Sequence, residues 1–393
     1  MDSSDKQLET IGFGAVEILP HEELVQKLKK GKPLRIKFGA DPSAPDLHLG
    51  HLVVLKKLQD FQKLGHHIVF IIGDFTARIG DPSGRSKTRP ALSEDEVKKN
   101  ARTYQDQIFR ILDRKKTEVV FNSSWLGKLS MADAVRLMSQ TTVARMLERD
   151  DFHGRFKKEA PISVHEFLYP FLQAYDSVAV KADVEIGGTD QKFNLLLGRE
   201  IQKAYGLDPQ TILTMPLLEG ADGLQKMSKS LGNSIGITDP PQAILGKIMS
   251  IPDALIVRYR TLLLGNSVAV VGHPRAEKMA LAKSIVGWLY SSREADKAEE
   301  EFNAVFSKGE MPSDIPEKIL PFGELDGSGL ISPPKLLVSV EAAPSLGEAR
   351  RLIKQGGVRI DGEVIKDEKA NIPVKSGMVI NVGKRTFVRL KVK

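Results

Sequence analysis

Apolar residues in the first part of the chain fall into unbroken runs and helical stripes. "LRIKF" (34–38) and "HIVFII" (67–72) read as buried strands, and "HLVVLKKLQDFQKL" (51–64) sets Leu55, Leu58, Phe61 and Leu64 at helical spacing until Gly65 stops it. Strand, helix and strand within about 40 residues make a βαβ crossover, which predicts a parallel sheet. "EVVFN" (118–122), "DVEIGG" (183–188) and "TILTMPLL" (211–218) supply further strands, with helices over 131–148 and 164–176 between them. Such alternation predicts an open α/β domain whose ligands sit at the carboxyl ends of its strands.

From about Asp239 the pattern turns mostly helical, through "AEKMALAKSIVGWLY" and "READKAEEEFNAVF". "DGSGLISPPK" (326–335) reads as a linker. Beyond it, "SLGEARRLIKQGG" predicts a short basic helix closed by a Gly-Gly cap, and "VRIDGEVI" a hairpin turning on Asp-Gly. The expected boundaries are an α/β domain over 1–238, a helical domain over 239–325, a linker over 326–335 and a small domain over 336–393.

Composition narrows this picture. With 393 residues and no cysteine, the chain can bury several cores but can form neither a disulfide framework nor a thiolate metal site. "MDSSDKQLET" lacks the basic start and apolar core of a secretory signal, and no apolar run approaches the ~18 residues of a membrane span. A cytoplasmic protein with no membrane contact is therefore expected. The net charge is +7, and from Lys335 onward 13 Lys and Arg face 6 Asp and Glu, so the whole excess lies in the tail. Either a polyanion partner or a solvated lysine-rich surface accounts for it.

Two stretches carry candidate chemistry. In "GADPSAPDLHLGHLVVL" (39–55), His48 and His51 sit at or beside the start of the predicted helix, around Gly50. Free N–H groups and the positive dipole end favour a phosphate there, and Gly50 permits close approach to the backbone. Capping histidines, a thin metal pair and chance are alternatives. In "GLQKMSKSLGN" (223–233), Lys226 and Lys229 lie on a glycine-flanked loop suited to closing over polyphosphate, or simply to solvent.

Together, H-x-G-H near the first strand and K-M-S-K-S some 175 residues later resemble the signature pair of class I aminoacyl-tRNA synthetases. A third stretch sharpens the likeness: "VHEFLYPFLQAYD" (164–176) places Tyr169, Gln173 and Asp176 on one helix face. With "GGTDQ" (187–191), "GDPSG" (80–84) and "DPS" (41–43), the chain resembles the tyrosyl-tRNA synthetase family over nearly its whole length. That resemblance implies an α/β, Rossmann-like parallel-sheet catalytic domain, then a helical domain and a small α+β RNA-binding domain.

It also implies roles. Asp81, Tyr169 and Gln173 would hold the tyrosine ammonium, Gln191 would lie near its carboxylate, and Asp176 would accept from its phenol. Asp41, Ser43, His48, Gly50, His51 and Met227 would form the ATP site, with Gly188 and Asp190 at the ribose. Arg85, Arg89, Lys226, Lys229 and Ser230 would gather around the departing pyrophosphate. Lys37 stands where the family pattern has a tyrosine that contacts the phenol, "DQKFN" where a Trp-Gly pair is common, and Arg85 where lysine is frequent. Lys37 would then touch the phenol, face solvent or pair with an acidic neighbour.

ATP would act as a substrate with Mg2+ carried by its phosphates, since no carboxylate cluster suggests a protein-bound metal. The tail resembles the small RNA-binding domain of a ribosomal small-subunit protein, with Arg350, Arg351, Lys354 and Arg359 on or beside its helix. The implied partners are tRNA(Tyr), L-tyrosine, ATP and a second copy of the chain. A tryptophanyl-tRNA synthetase and a synthetase-like RNA-binding protein without aminoacylation are the rival readings.

Overall fold

The computed structural model describes residues 3–82, 93–304, 315–383 and 386–393, and the chain divides into two compact units, 1–296 and 297–393. The first is built on a six-stranded sheet of β1 (Glu17–Leu19), β2 (Arg35–Ala40), β3 (His67–Ile72), β4 (Thr117–Phe121), β5 (Val184–Gly188) and β6 (Thr211–Met215). Their spatial order is β1-β6-β5-β2-β3-β4, with β1 antiparallel to β6 and every other pair parallel. Strands β3 and β6 are buried along nearly their whole length, which explains their unbroken apolar runs.

The chain winds from β2 through β3 to β4 on one side, then returns to β5 and β6 on the other. The order therefore reverses between β2 and β5, and a crevice opens beyond their carboxyl ends. Helix α1 (Leu49–Lys63) leaves from the end of β2, with His48 as its N-cap residue. It stops as the glycine predicts: Gly65 has φ 91°, and the His66 N–H donates to the Phe61 carbonyl at 3.0 Å. Helices α2 (Leu168–Ala179) and α3 (Lys192–Ala204) pack together through Phe171, Ala174, Leu197 and Ile201.

Some expected elements differ. The helix over 131–148 breaks into Met131–Met138 and Val143–Met146, because Ser139 ends the first and the Thr142 side chain caps the second by accepting from the Arg145 N–H. The segment 164–176 opens as a 3-10 turn over Val164–Phe167 and becomes α-helical only at Leu168, leaving Pro170 in the first turn, where its missing N–H has no intrahelical partner to lose. Strand β6 ends at Met215, before Pro216. Strand β1, three residues long, is too short to show a period.

Beyond β6 the first unit continues as helices, among them α4 (Pro241–Met249) and α5 (Pro274–Leu289). The second unit holds a five-stranded sheet of β7 (Glu317–Leu320), β8 (Val358–Ile360), β9 (Glu363–Val364), β10 (Val379–Val382) and β11 (Thr386–Val392), in the order β9-β8-β10-β11-β7. Residues 326–335, expected as a linker, fold into this unit: Leu330–Ile331 pairs with Ile372–Pro373, and Pro333 opens a helix, a position suited to its fixed φ. Strand β7, within the expected helical region, pairs with the C-terminal β11.

Helix α6 (Leu346–Lys354) ends at Gly356 (φ 68°), with Gly357 N–H donating to the Leu352 carbonyl at 2.9 Å. Asp361 and Gly362 both have positive φ, 47° and 90°, which matches the turn that joins β8 to β9.

Candidate active site

The crevice beyond β2 and β5 is a cleft of about 990 Å³. Its lining brings together Asp41, Ser43, His48, Gly50, His51 and Asp81 from the first half with Tyr169, Gln173, Asp176, Gly188, Asp190 and Gln191 from the second, and Lys226, Met227 and Ser230 from the loop after β6. Lys37 and Lys229 are not on that lining. Arg85 and Arg89 lie outside the described residues.

At one end, the start of α1 places the His48 and His51 rings 4.0 Å apart between centroids. The His48 backbone N–H donates to His51 Nδ1 at 3.2 Å, which leaves the His51 proton on Nε2 when the ring is neutral. His48 Nδ1 is buried and has no hydrogen-bond partner among the described residues. Burial, the neighbouring imidazole and Lys229 push the His48 pKa down to about 2; burial chiefly pushes His51 to about 4. Both rings are therefore neutral donors at physiological pH. Gly50 is required here, because a Cβ would sit 2.9 Å from His48 Nδ1.

Two neutral imidazoles carry a measurable consequence. Their ring 15N shifts are expected to stay those of uncharged histidine down to pH 6, and titration of either between pH 6 and 7 would contradict the burial argument. Because both folded values lie below 6.5, the unfolded chain takes up protons first, so their contribution to stability falls as pH drops from about 7 toward 4.

The loop over 223–233 is anchored rather than loose. Met227 is buried, and its N–H donates to the Leu218 carbonyl at 2.8 Å; the Asn233 amide oxygen accepts from the Ser228 N–H at 2.8 Å. Each lysine rests on an acid: Lys226 on Asp190 at 3.0 Å and Lys229 on Asp46 at 2.9 Å. Gly188 allows this rim to close, since a Cβ there would lie 2.6 Å from Asp190 Oδ1.

The middle of the cleft is a ring of polar contacts. Tyr169 donates to Asp41 Oδ2 at 3.0 Å, Gln191 to Asp81 Oδ2 at 2.9 Å, and the Asn194 amide to both Gln173 and Gln191. Arg149, buried beside Phe152, pairs with Asp151 at 2.8 Å and reaches Asp81 at 3.5 Å.

At the far end stands Asp176, on α2. It accepts from the Trp125 indole at 2.8 Å and the Asn122 amide at 3.2 Å, both from the segment after β4. Burial pushes its pKa up to about 7, against the pull of Lys37 and these donors. Lys37 lies beneath the lining, fully buried and 2.8 Å from Glu185. Sequence reasoning missed Asn122, Trp125, Arg149, Glu185 and Asn194. For Asn122 and Trp125 a signal existed, because they follow a predicted strand at the end where α/β folds place ligands.

In the second unit, Arg350, Arg351, Lys354 and Arg359 are all exposed. Arg351 pairs with Glu348, and Lys354 approaches Glu368 at 3.6 Å. Among the described residues no group of three or more His, Cys, Asp or Glu side chains is placed to hold a metal, and no helix is long and apolar enough to cross a membrane.

Residues 29–307 match the family described as tRNA synthetases class I (W and Y), and residues 334–380 match the S4 domain. The tyrosine–tRNA ligase of Carboxydothermus hydrogenoformans is 54% identical, with 99% of this chain and 98% of the relative covered. That of Nitrosomonas europaea is 52% identical, with 99% and 97% covered. Among solved structures, the Archaeoglobus fulgidus tyrosyl-tRNA synthetase complexed with L-tyrosine is 26% identical, with a TM-score of 0.61 over 76% of this chain and 99% of that one.

Proposed function

The chain belongs to the tyrosine–tRNA ligases of the class I tRNA synthetases, which activate L-tyrosine with ATP and transfer it to the 3′-terminal ribose of tRNA(Tyr), and we propose that its residues divide that work along the cleft. The observation that carries the assignment is the pairing of opposite ends: two neutral imidazole donors at a helix N-terminus, and a buried carboxylate at the floor beyond the polar ring.

In the first step a tyrosine carboxylate oxygen attacks the α-phosphorus of ATP, and the bond to the departing pyrophosphate breaks. No protein nucleophile is needed, so the residues contribute positioning and charge stabilisation. Asp81, Tyr169 and Gln173 receive the substrate ammonium, Gln191 faces its carboxylate, and Asp176 accepts from the phenol. Gly188 and Asp190 meet the ribose, and Asp41, Ser43, His48, Gly50, His51 and Met227 line the phosphate and adenine side. Lys226, Lys229 and Ser230, with Arg85 and Arg89, stabilise the charge that gathers on pyrophosphate.

In the second step the terminal ribose hydroxyl attacks the activated carbonyl and AMP leaves. Mg2+ would accompany ATP as part of that substrate and offset its phosphate charge.

The domain division into catalytic, helical and RNA-binding parts belongs to the same reading, as does a cytoplasmic site of action. A homodimer is supported by exposed apolar side chains in the first unit: Met131 is 79% and Val164 82% exposed, and Val143 and Phe156 are also uncovered. Arg350 and Arg359 are proposed to meet tRNA phosphates. Replacing both with alanine is expected to reduce the salt dependence of tRNA binding by about two units of slope and raise the KM for tRNA, leaving pyrophosphate exchange unchanged. An equal fall in exchange would place them elsewhere. The whole reading is tested by charging: labelled tyrosine with ATP is expected to appear in acid-precipitable tRNA(Tyr), and no label on tRNA in the presence of tyrosine activation would contradict the second step.

A further inference from the structure

Lys37 occupies the middle of β2, and its side chain is wholly buried. Its ammonium has three protons and three acceptors: Glu185 Oε1 at 2.8 Å, Ser177 Oγ at 2.7 Å and the Gln173 carbonyl at 2.9 Å. No proton remains for a ligand. Glu185 is equally committed, since it also receives the Ser177 hydroxyl at 3.1 Å and the Gln210 amide, with the Gln173 amide at 3.4 Å. Unlike Lys37, Glu185 lines the cleft.

The two acceptors of Lys37 on α2, Gln173 and Ser177, bracket Asp176. Resting on the tyrosine reading above, we propose that Lys37 is a positioning residue for tyrosine selection: it locks α2 against β5 and so holds Asp176 and Glu185 at the floor of the cleft in the arrangement that a phenol hydroxyl requires. A buried ion pair gains little stability over a neutral pair of similar volume, so its presence here fits placement better than strength.

The pair also sets the charge at the floor. Lys37 from β2 and Glu185 from β5 are the charged groups that face Asp176 from the sheet. From the segment after β4 it meets the neutral Trp125 indole and Asn122 amide, and Asp41 connects through Thr76 and Asn122. On its own helix stand Tyr169 and Ser177. Removing Lys37 disfavours ionised Asp176, whereas removing the Glu185 charge favours it.

The test uses the full-length enzyme in pyrophosphate exchange with tyrosine and phenylalanine. Lys37→Met and Glu185→Gln are made singly and together; the double variant leaves no unpaired charge and keeps the proposal testable if Lys37→Met fails to fold. In the double variant, kcat/KM for tyrosine is expected to fall 10- to 100-fold and the tyrosine-to-phenylalanine ratio to fall with it, while KM for ATP stays within twofold. The acidic limb of kcat/KM for tyrosine is expected to move to higher pH in Lys37→Met and to lower pH in Glu185→Gln. An unchanged ratio in the double variant, or limbs that move the same way or not at all, would overturn the positioning role. A wild-type enzyme whose exchange does not depend on tyrosine would instead overturn the functional reading, and this proposal with it.

Discussion

Lys229→Ala is expected to slow tyrosine-dependent pyrophosphate exchange about 10²- to 10³-fold in kcat, the range for losing one preorganised charge or donor aimed at a transition state. The KM for tyrosine is expected to stay within about twofold, because the lysine lies at the opposite end of the site from Asp176. In the present structure the Lys229 ammonium rests on Asp46 at 2.9 Å and is about one-third exposed. An exposed pair of this kind is worth little, so releasing it to meet a polyphosphate costs little. The anchoring of Met227 and Asn233 keeps the loop's path fixed while the lysine changes partner. A matching rise in the tyrosine KM, with kcat unchanged, would show that Lys229 acts in ground-state binding instead.

Asp176→Ala is expected to lower kcat/KM for tyrosine about 10- to 150-fold, corresponding to the ~1.5–3 kcal/mol carried by a hydrogen bond to a charged group. The rate with phenylalanine, which offers no hydroxyl, is expected to change far less, so the preference for tyrosine collapses. Wild-type kcat/KM is expected to fall as pH drops through about 7, where burial places the Asp176 pKa, and the variant is expected to lose that limb. Stability follows the opposite sense. A carboxyl whose folded pKa is raised binds a proton in the folded state that the unfolded chain lacks between about 4 and 7, so its contribution declines as pH rises through that window. The substitution is therefore expected to be less destabilising at pH 8.5 than at pH 5.5. Equal losses with tyrosine and phenylalanine would show that Asp176 only supports the pocket wall.

Much of this site was legible because its elements are local. His48 and His51 share the first turn of α1, and Tyr169, Gln173 and Asp176 share one face of α2, so spacing alone brings each set together. Contacts between distant segments were not legible. Trp125 and Asp176 are 51 residues apart, and Lys37 reaches Glu185 across the β2–β5 reversal, a neighbour relation fixed by sheet order. Lys37 stood out in the sequence as a departure, but its partner could be found only in three dimensions.

The same limit applies to the fold. Strands with continuous burial, such as β3, announce themselves by composition, while the three-residue β1 depends on pairing with β6. Glycines and prolines at 326–335 read as a linker because their local signals are those of a turn. The pairing of Leu330–Ile331 with Ile372–Pro373 is what draws them into the second unit.

On the proposed function, one cleft both selects a phenol at Asp176 and activates the substrate carboxylate at the histidine end. Exchange of labelled pyrophosphate into ATP, measured separately with tyrosine, phenylalanine and tryptophan on wild type and Asp176→Ala, tests it most directly. Exchange with tyrosine is expected to far exceed exchange with the other two and to drop sharply in the variant. Exchange supported best by tryptophan, or by none of the three, would contradict it.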